Sequence, residues 1–348
     1  LLYKSPVTQE AVNLAEMAHI YSFSKNGPRG WGIFTQKLAA LNDVGNLMLV
    51  CHDCHKKIDQ DKKGERYTAE LLKGWKAEHE TRVRIATGIT ANKRSHVVFY
   101  GSRIGDENTP LQAGVAFDAM FPDWNPADDR SVKLSMDSAL DDSTKEFWIV
   151  QEAHLRKEFD RHIRTRIDEA QPNHFSVFAM ASQPLLILLG SLLTDKVPAI
   201  IYQPHREPKT WKWQPHPEGF QFRIREPADM TGIPALVFSL SAKIGAERIE
   251  SVLGGKVAIW EVTVDQPHND FLRSEAQLSM FRETTRRIMV SIKTAHPDAT
   301  DIKVFPAMPI ACAIELGRVR MPKADLPWVI YDQNHKQQKF IKTITIGG

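Results

Sequence analysis

Cysteine is scarce in this 348-residue chain, which has only Cys51, Cys54 and Cys312. Three thiols exclude a disulfide framework and suit a reducing compartment. Long apolar runs are missing too. The longest, Pro184-Leu-Leu-Ile-Leu-Leu-Gly-Ser-Leu-Leu193, is about half of the ~20 residues a bilayer span needs and reads as a buried helix. No membrane partner is expected, no secretory signal is visible, and the expected location is the cytoplasm. Charge of one sign is also lacking, with 45 Lys and Arg against 42 Asp and Glu. The small basic excess sits early: residues 1–90 hold 13 basic and 10 acidic residues, and the remainder balances at 32 each. Lys25, Arg29, Lys37, Lys56, Lys57, Lys62 and Lys63 could meet phosphates there, although such a run is usually a solvated face. Residues 94–348 contain no phosphate loop, no G-x-G-x-x-G and no Cys/His cluster of ligand spacing. The length leaves room for two or three domains.

What is present centres on Cys51-His-Asp-Cys54-His55, preceded by Gly45-Asn46-Leu47 and, further upstream, by Ala18-His19-Ile20. Two thiolates three positions apart suit a tetrahedral zinc ion gripped by one short turn. A lone C-x-x-C also fits a redox pair or two buried thiols. The order His19, Asn46, His55, with a following helix, resembles an HNH endonuclease domain of the ββα-metal type over residues 1–90. Phosphodiester hydrolysis needs a base for water and a cation for the phosphate. The resemblance implies that His19 is the base, that Asn46 positions the loop or reaches the metal, and that His55 ligates a catalytic divalent ion such as Mg²⁺. It also implies structural zinc on Cys51 and Cys54, whose two further ligands are not visible. The chain opens Leu1-Leu2-Tyr3 without Met, and the family usually carries another Cys pair just upstream. Either that pair precedes this sequence or the zinc half of the site is absent. Many relatives have a metal-binding Asp before the base, where this chain has Ala18. Glu16, Asp43 or water is expected to compensate. His52 and His79 are read as solvent-facing or packing residues.

Tyr67 to Thr87 has helical spacing, and Gly88 to Arg94 reads as a linker. Beyond it, strands alternate with helices. Strands are expected at 97–100, 175–179, 199–202, 235–240, 257–262, 302–305, 327–331 and 340–346. Helices are expected after a capping box at Ser143, at 184–193, at 246–253 and along Leu278 to Ala295. This order implies an α+β N-terminal domain followed by two Rossmann-like α/β halves with parallel sheets, roughly 94–226 and 227–348.

Ligand binding at strand carboxyl ends is the default role of such a fold. Ser239 and Ser241 are candidates for phosphate contact, with helix capping as the alternative. Tyr202 and Arg206 follow a strand end, Trp124, Trp211 and Trp213 offer base stacking, and Arg206 and Lys323 are basic candidates or ion-paired structural residues. Gly101-Ser-Arg-Ile-Gly105, Tyr202-Gln-Pro-His-Arg206, Trp211-Lys-Trp213, Phe238-Ser-Leu-Ser241 and Phe305-Pro-Ala-Met-Pro309 with Glu315-Leu-Gly-Arg318 resemble a SAVED domain, a fusion of two CARF-like halves that binds cyclic oligonucleotides. An HNH domain joined to SAVED is similar to the effector nucleases of bacterial CBASS antiphage defence. That resemblance implies a cyclic di- or trinucleotide activator, a double-stranded DNA substrate, and a homo-oligomer, dimer or tetramer, formed with ligand. Two rivals remain at this level: a modification-dependent restriction endonuclease whose C-terminal part reads DNA, and a non-enzymatic nucleic-acid-binding zinc module.

Overall fold

A computed structural model describes residues 2–4, 11–13, 15–87, 93–102, 113–128, 130–135, 140–168 and 174–347. Most of the expected linker at 88–94 and the end of the Gly101–Gly105 motif lie outside the described residues. The chain separates into two compact units, Leu1–Thr90 and Ala91–Gly348.

The first unit opens with the short pair β1 (Leu2–Lys4) and β2 (Ala11–Asn13). Next, β3 (Ala15–His19) runs antiparallel to β4 (Leu47–Cys51), with Ala18 opposite Met48 and His19 opposite Leu47. The excursion between them is built of 3₁₀ turns. Helix α1 (His52–Gln60) follows β4 directly, and α2 (Ala69–Thr87) closes the unit. Strand alternation turns Ala18 inward, and the core is small: Ile20, Ile58 and Leu72 are buried, with Tyr21, Met48, Val50 and Tyr67 packed against them. This is a ββα unit.

The second unit holds two sheets. In the first, β5 (Arg94–Gly101), β8 (Phe175–Met180) and β9 (Ala199–Ile201) run parallel, with β6 (Asn125–Pro126) and β7 (Val132–Lys133) beside β5. Helix α3 (Ala113–Met120) covers one face. The other face packs against α4 (Lys145–Phe159) and α6 (Gln183–Leu193). Both faces are buried, so Val97–Tyr100 reads as an unbroken apolar run and Phe175–Ala179 as one broken only by buried Ser176. Between α4 and the short α5 (Thr165–Asp168) lies a π turn, Asp160–Arg164. A stripe stepping by four, Leu155-Phe159-Ile163, drifts about 40° per step on an α-helix, and the wider turn keeps Ile163 buried. The N-cap of α4 is Thr144, which accepts from Phe147 N, one residue later than the expected Ser143.

The second sheet has the order β10 (Arg223–Arg225), β12 (Val257–Thr263), β11 (Ile233–Ser239), β13 (Ile302–Ala307), β14 (Trp328–Asn334), β15 (Lys339–Ile346). Its centre is parallel, but β10 and β15 pair antiparallel at the edges. The all-parallel expectation therefore fails at both margins, and this sheet begins at Arg223 rather than after residue 226. Helix α7 (Ala246–Leu253) covers one face, and α8 (Glu275–Ala295) with α9 (Ile310–Val319) covers the other.

Helices α6 and α9 join the two halves. Gly190 of α6 faces the Ile314 carbonyl and Gly317 of α9 faces that of Ile187; a Cβ on either glycine would overlap those oxygens. Arg318, buried on α9, donates to Glu315 at 2.6 Å and to the carbonyls of Val197 and Thr194 at 2.9 and 3.1 Å. One apolar core runs continuously through both sheets.

Candidate functional site

The HNH residues lie on neighbouring elements, His19 at the end of β3, Asn46 just before β4 and His55 on α1, each with its own partners. Asn46 is buried and clamps the turn after β3. Its Oδ1 accepts from Tyr21 N at 2.8 Å, and its Nδ2 donates to the carbonyls of Tyr21 and Leu41 at 2.9 and 2.8 Å. It is thus saturated by backbone and fixes the loop that follows His19. At the end of β3, the Oδ1 of Asn42 accepts from His19 Nε2 at 3.0 Å.

His55 occupies the first turns of α1. Its Nδ1 donates to Glu16 Oε2 at 2.6 Å, and its Nε2 lies 3.4 Å from Asp59 Oδ2 one turn on. The other oxygen of Glu16 accepts from His52 Nδ1 at 2.5 Å. These two hydrogen bonds, from His52 first and then from His55, hold the Glu16 carboxyl below its ordinary value. Sequence reasoning left His52 without a role and did not reach Asp59. The helical i, i+4 spacing His55-Asp59 was the signal available. Ala18 is fully buried and offers no donor, whereas Glu16, two residues earlier on the same strand face, reaches both imidazoles.

Arg29, read as a phosphate contact, turns inward. Its guanidinium donates to the carbonyls of Ile20 at 2.5 Å, Tyr67 at 3.2 Å and His19 at 3.3 Å, tying the end of β3 to the turn before α2. Cys51 precedes α1 and accepts from the backbone of Cys54, which lowers its thiol, while the side-chain contact with Cys51 raises that of Cys54. Two thiols are half of a tetrahedral set. Among the described residues no three His, Cys, Asp or Glu side chains are arranged to hold a metal ion, so neither zinc on Cys51 and Cys54 nor a divalent ion on His55 has an assembled ligand set there. Glu16 and Asp59 beside His55 supply carboxylate oxygens of the kind a hard divalent cation takes, with the imidazole now hydrogen-bonded to Glu16.

In the second unit, the carboxyl ends of β8, β9, β11 and β13 meet. Gln183 Nε2 donates to Met308 O at 2.6 Å, and Gln203 Oε1 accepts from Ala311 N at 3.0 Å in the first turn of α9. Ser182, before α6, and Gln183 keep Oγ and Oε1 buried without a hydrogen-bond partner. These residues were missed by sequence reasoning, although Ser-Gln-Pro at a helix start was a legible cue.

Several expected ligand residues are committed elsewhere. Ser239 is buried, its Oγ accepting from Ile244 N, while Leu240 N and Ser241 N both donate to Ala307 O. The backbone at Ser241 is therefore closed to a phosphate, and α7 starts five residues later. Tyr202 is buried and stacked on Phe178, with burial pushing its hydroxyl up, and Trp211 meets the same Phe178 edge-on. Trp213 packs on the main core. Arg206 is exposed, its backbone N donating to Asp270. Trp124 stacks on His174 with centroids 3.4 Å apart at the amino ends of β5 and β8, the opposite end from the expected site. Burial and Lys93 depress His174 to about 4. Lys323 is exposed in the turn before β14, likewise at the amino end of its strand.

Residues 155–346 match the family model described as the SMODS-associated and fused to various effectors sensor domain, SAVED. The chain belongs to the SAVED family. Residues 5–62 match the HNH endonuclease model HNH_2, so an HNH endonuclease region precedes the SAVED domain. No curated protein matches the chain. Among solved structures, the Cap4 SAVED/CARF-domain containing receptor of Acinetobacter baumannii with the cyclic trinucleotide 2'3'3'-cAAA is 11% identical with a TM-score of 0.46, covering 72% of this chain and 51% of that one. The complex of that receptor with 3'3'3'-cAAA gives 12%, 0.47, 72% and 51%. The Moraxella osloensis Cap4 receptor gives 9% and 0.40, covering 84% and 59%. The SAVED chain spans about half the length of these receptors. No helix among its described residues is long and apolar enough to cross a membrane.

Proposed function

We propose that this SAVED protein is a DNA endonuclease of bacterial antiphage defence, activated by a cyclic di- or trinucleotide. Residues 1–90 form the nuclease and 94–348 the sensor. The observation that carries this reading is His55 set between Glu16 and Asp59, with His19 on the adjoining strand, in a chain whose other unit is a SAVED domain.

His19 takes the proton from the attacking water, Asn46 holds the turn that presents it, and His55 with the flanking carboxylates would hold a divalent ion such as Mg²⁺. When bound, that ion neutralises charge on the scissile phosphate. On the sensor side, the amino end of α6 suits a phosphate of the cyclic ligand. What supports this placement is the partial positive charge of the helix end together with the unpartnered, buried Ser182 Oγ beside it. Ligand binding favours a homo-oligomer in which nuclease units act together. It shifts that equilibrium only by its differential affinity for the assembled state.

The test incubates supercoiled plasmid with the protein, Mg²⁺ and a panel of cyclic di- and trinucleotides. Degradation with one member, abolished by His19→Ala while ligand binding persists, is expected. Cutting that no panel member alters, or full activity of His19→Ala, would overturn the reading.

A further inference from the structure

The tautomer of His19 decides which ring nitrogen is basic, and among the described residues Asn42 is the neighbour that holds that ring by a hydrogen bond. His19 ends β3, opposite Leu47 and one residue after buried Ala18, so strand alternation turns it away from the core that α1 covers. Its own carbonyl is taken by Arg29, which fixes the backbone but leaves the imidazole free to rotate and to exchange tautomers. The ring is restrained on one side by Phe23, with centroids 6.0 Å apart, and at Nε2 by Asn42 Oδ1 at 3.0 Å. A carbonyl oxygen can only accept. The proton of the neutral ring therefore sits on Nε2, and the lone pair is left on Nδ1.

Asn42 is held in turn by local structure. It is the last residue of the 3₁₀ turn Leu38–Asn42, whose Ala40 and Leu41 are buried, and the Asp43 N–H closes that turn on Ala40 O. The Leu41 carbonyl is fastened by Asn46. The residue that clamps the loop thus also fixes the platform from which Asn42 reaches the base.

We infer that Asn42 is the positioning residue for His19: its side-chain oxygen fixes the Nε2–H tautomer and aims Nδ1 at the attacking water. This rests on the proposed nuclease reading for its consequence, but not for its geometry. Hydrogen bonds of this kind orient imidazoles in catalytic and metal sites generally, and losing them typically costs on the order of 10- to 100-fold.

The experiment has an arm that needs no activity. Two-bond ¹H–¹⁵N spectra of the free full chain, with the His19 signals assigned from the His19→Ala variant, report which nitrogen carries the proton. Wild type should show a single Nε2–H form. Asn42→Leu should show a mixture, and Asn42→Asp, which keeps an accepting oxygen, should restore the wild-type form. The second arm measures plasmid cleavage with Mg²⁺ and each cyclic di- and trinucleotide of the same panel. Asn42→Leu should lower kcat by about 10- to 100-fold with KM unchanged, and Asn42→Asp should recover part of the loss. An Nδ1–H form in wild type, or an unchanged tautomer in Asn42→Leu, overturns the inference even if the nuclease cuts. A wild type that shows the Nε2–H form yet cleaves nothing under any panel ligand sinks the nuclease reading instead.

Discussion

Asn46 shows how much a single buried amide can carry in a unit with so small a core. All three of its hydrogen bonds go to backbone, the one to Leu41 O fully buried and the two to Tyr21 partly so, and truncation would leave all three groups without this partner. At about 1–3 kcal/mol for an orphaned buried group, Asn46→Ala should cost at least about 2 kcal/mol locally. The expected readout is loss of hydrogen-exchange protection at the Tyr21 N–H, with residues 94–348 unaffected; unchanged protection would disprove the clamp. The same residue was expected either to position the loop or to reach the metal, and its saturated amide decides for the loop. His52 illustrates the reverse. Nothing in its sequence position separated it from a solvated side chain, because its partner Glu16 lies 36 residues away and meets it only through the β3–α1 packing.

At the scale of elements, the crossing of α6 and α9 is set by two glycines. Gly317→Ala would press a methyl into the Ile187 carbonyl and push the helices apart. Overpacking of this kind typically costs about 1–3 kcal/mol. A lower denaturant midpoint with an unchanged slope is expected, and a variant as stable as wild type would show that the helices separate freely.

A second element-level prediction concerns the β14–β15 hairpin. Burial, with the charge of Asp142, pushes the Asp332 carboxyl up to about 7. The unfolded chain releases this proton near pH 4, whereas the folded one holds it until about pH 7. Folded protein therefore binds the extra proton between those limits, and the contribution of Asp332 to stability falls as pH rises from about 4 to 7, then levels off. Asp332→Asn should remove this loss, so its stability relative to wild type should rise between pH 5 and pH 7.5. A constant difference across that range would refute it.

Legibility varied among the elements for physical reasons. Helix α8 showed its 3- and 4-residue stripe because one face meets solvent and one meets the core. Helix α9 showed no stripe, because Ala311 to Val319 are all buried, the paired Glu315 and Arg318 included, and a helix with no solvent face has no polar side to alternate with. The edge strand β10, Arg223-Ile-Arg225, is too short and too charged to read as a strand, and only pairing reveals the antiparallel sense of β15.

For the whole molecule, the proposal of ligand-driven assembly has its own test. Light scattering should show a rise in mass when the activating cyclic oligonucleotide is added. A ligand-bound monomer that still degrades plasmid would remove assembly from the mechanism.

The order His19, Asn46, His55 and the alternation of strands with helices were determined by residue type and spacing alone, since nucleophile activation and binary patterning act over short separations. Tertiary structure decided the rest. It buried Ala18 and brought Glu16 to the imidazoles, closed the Ser239–Ser241 loop on Ala307, sent Trp124 to the far end of its sheet and left Ser182 unpartnered at the head of α6. Each of these depends on which distant segment fills the neighbouring space, a property that packing fixes and local sequence does not encode.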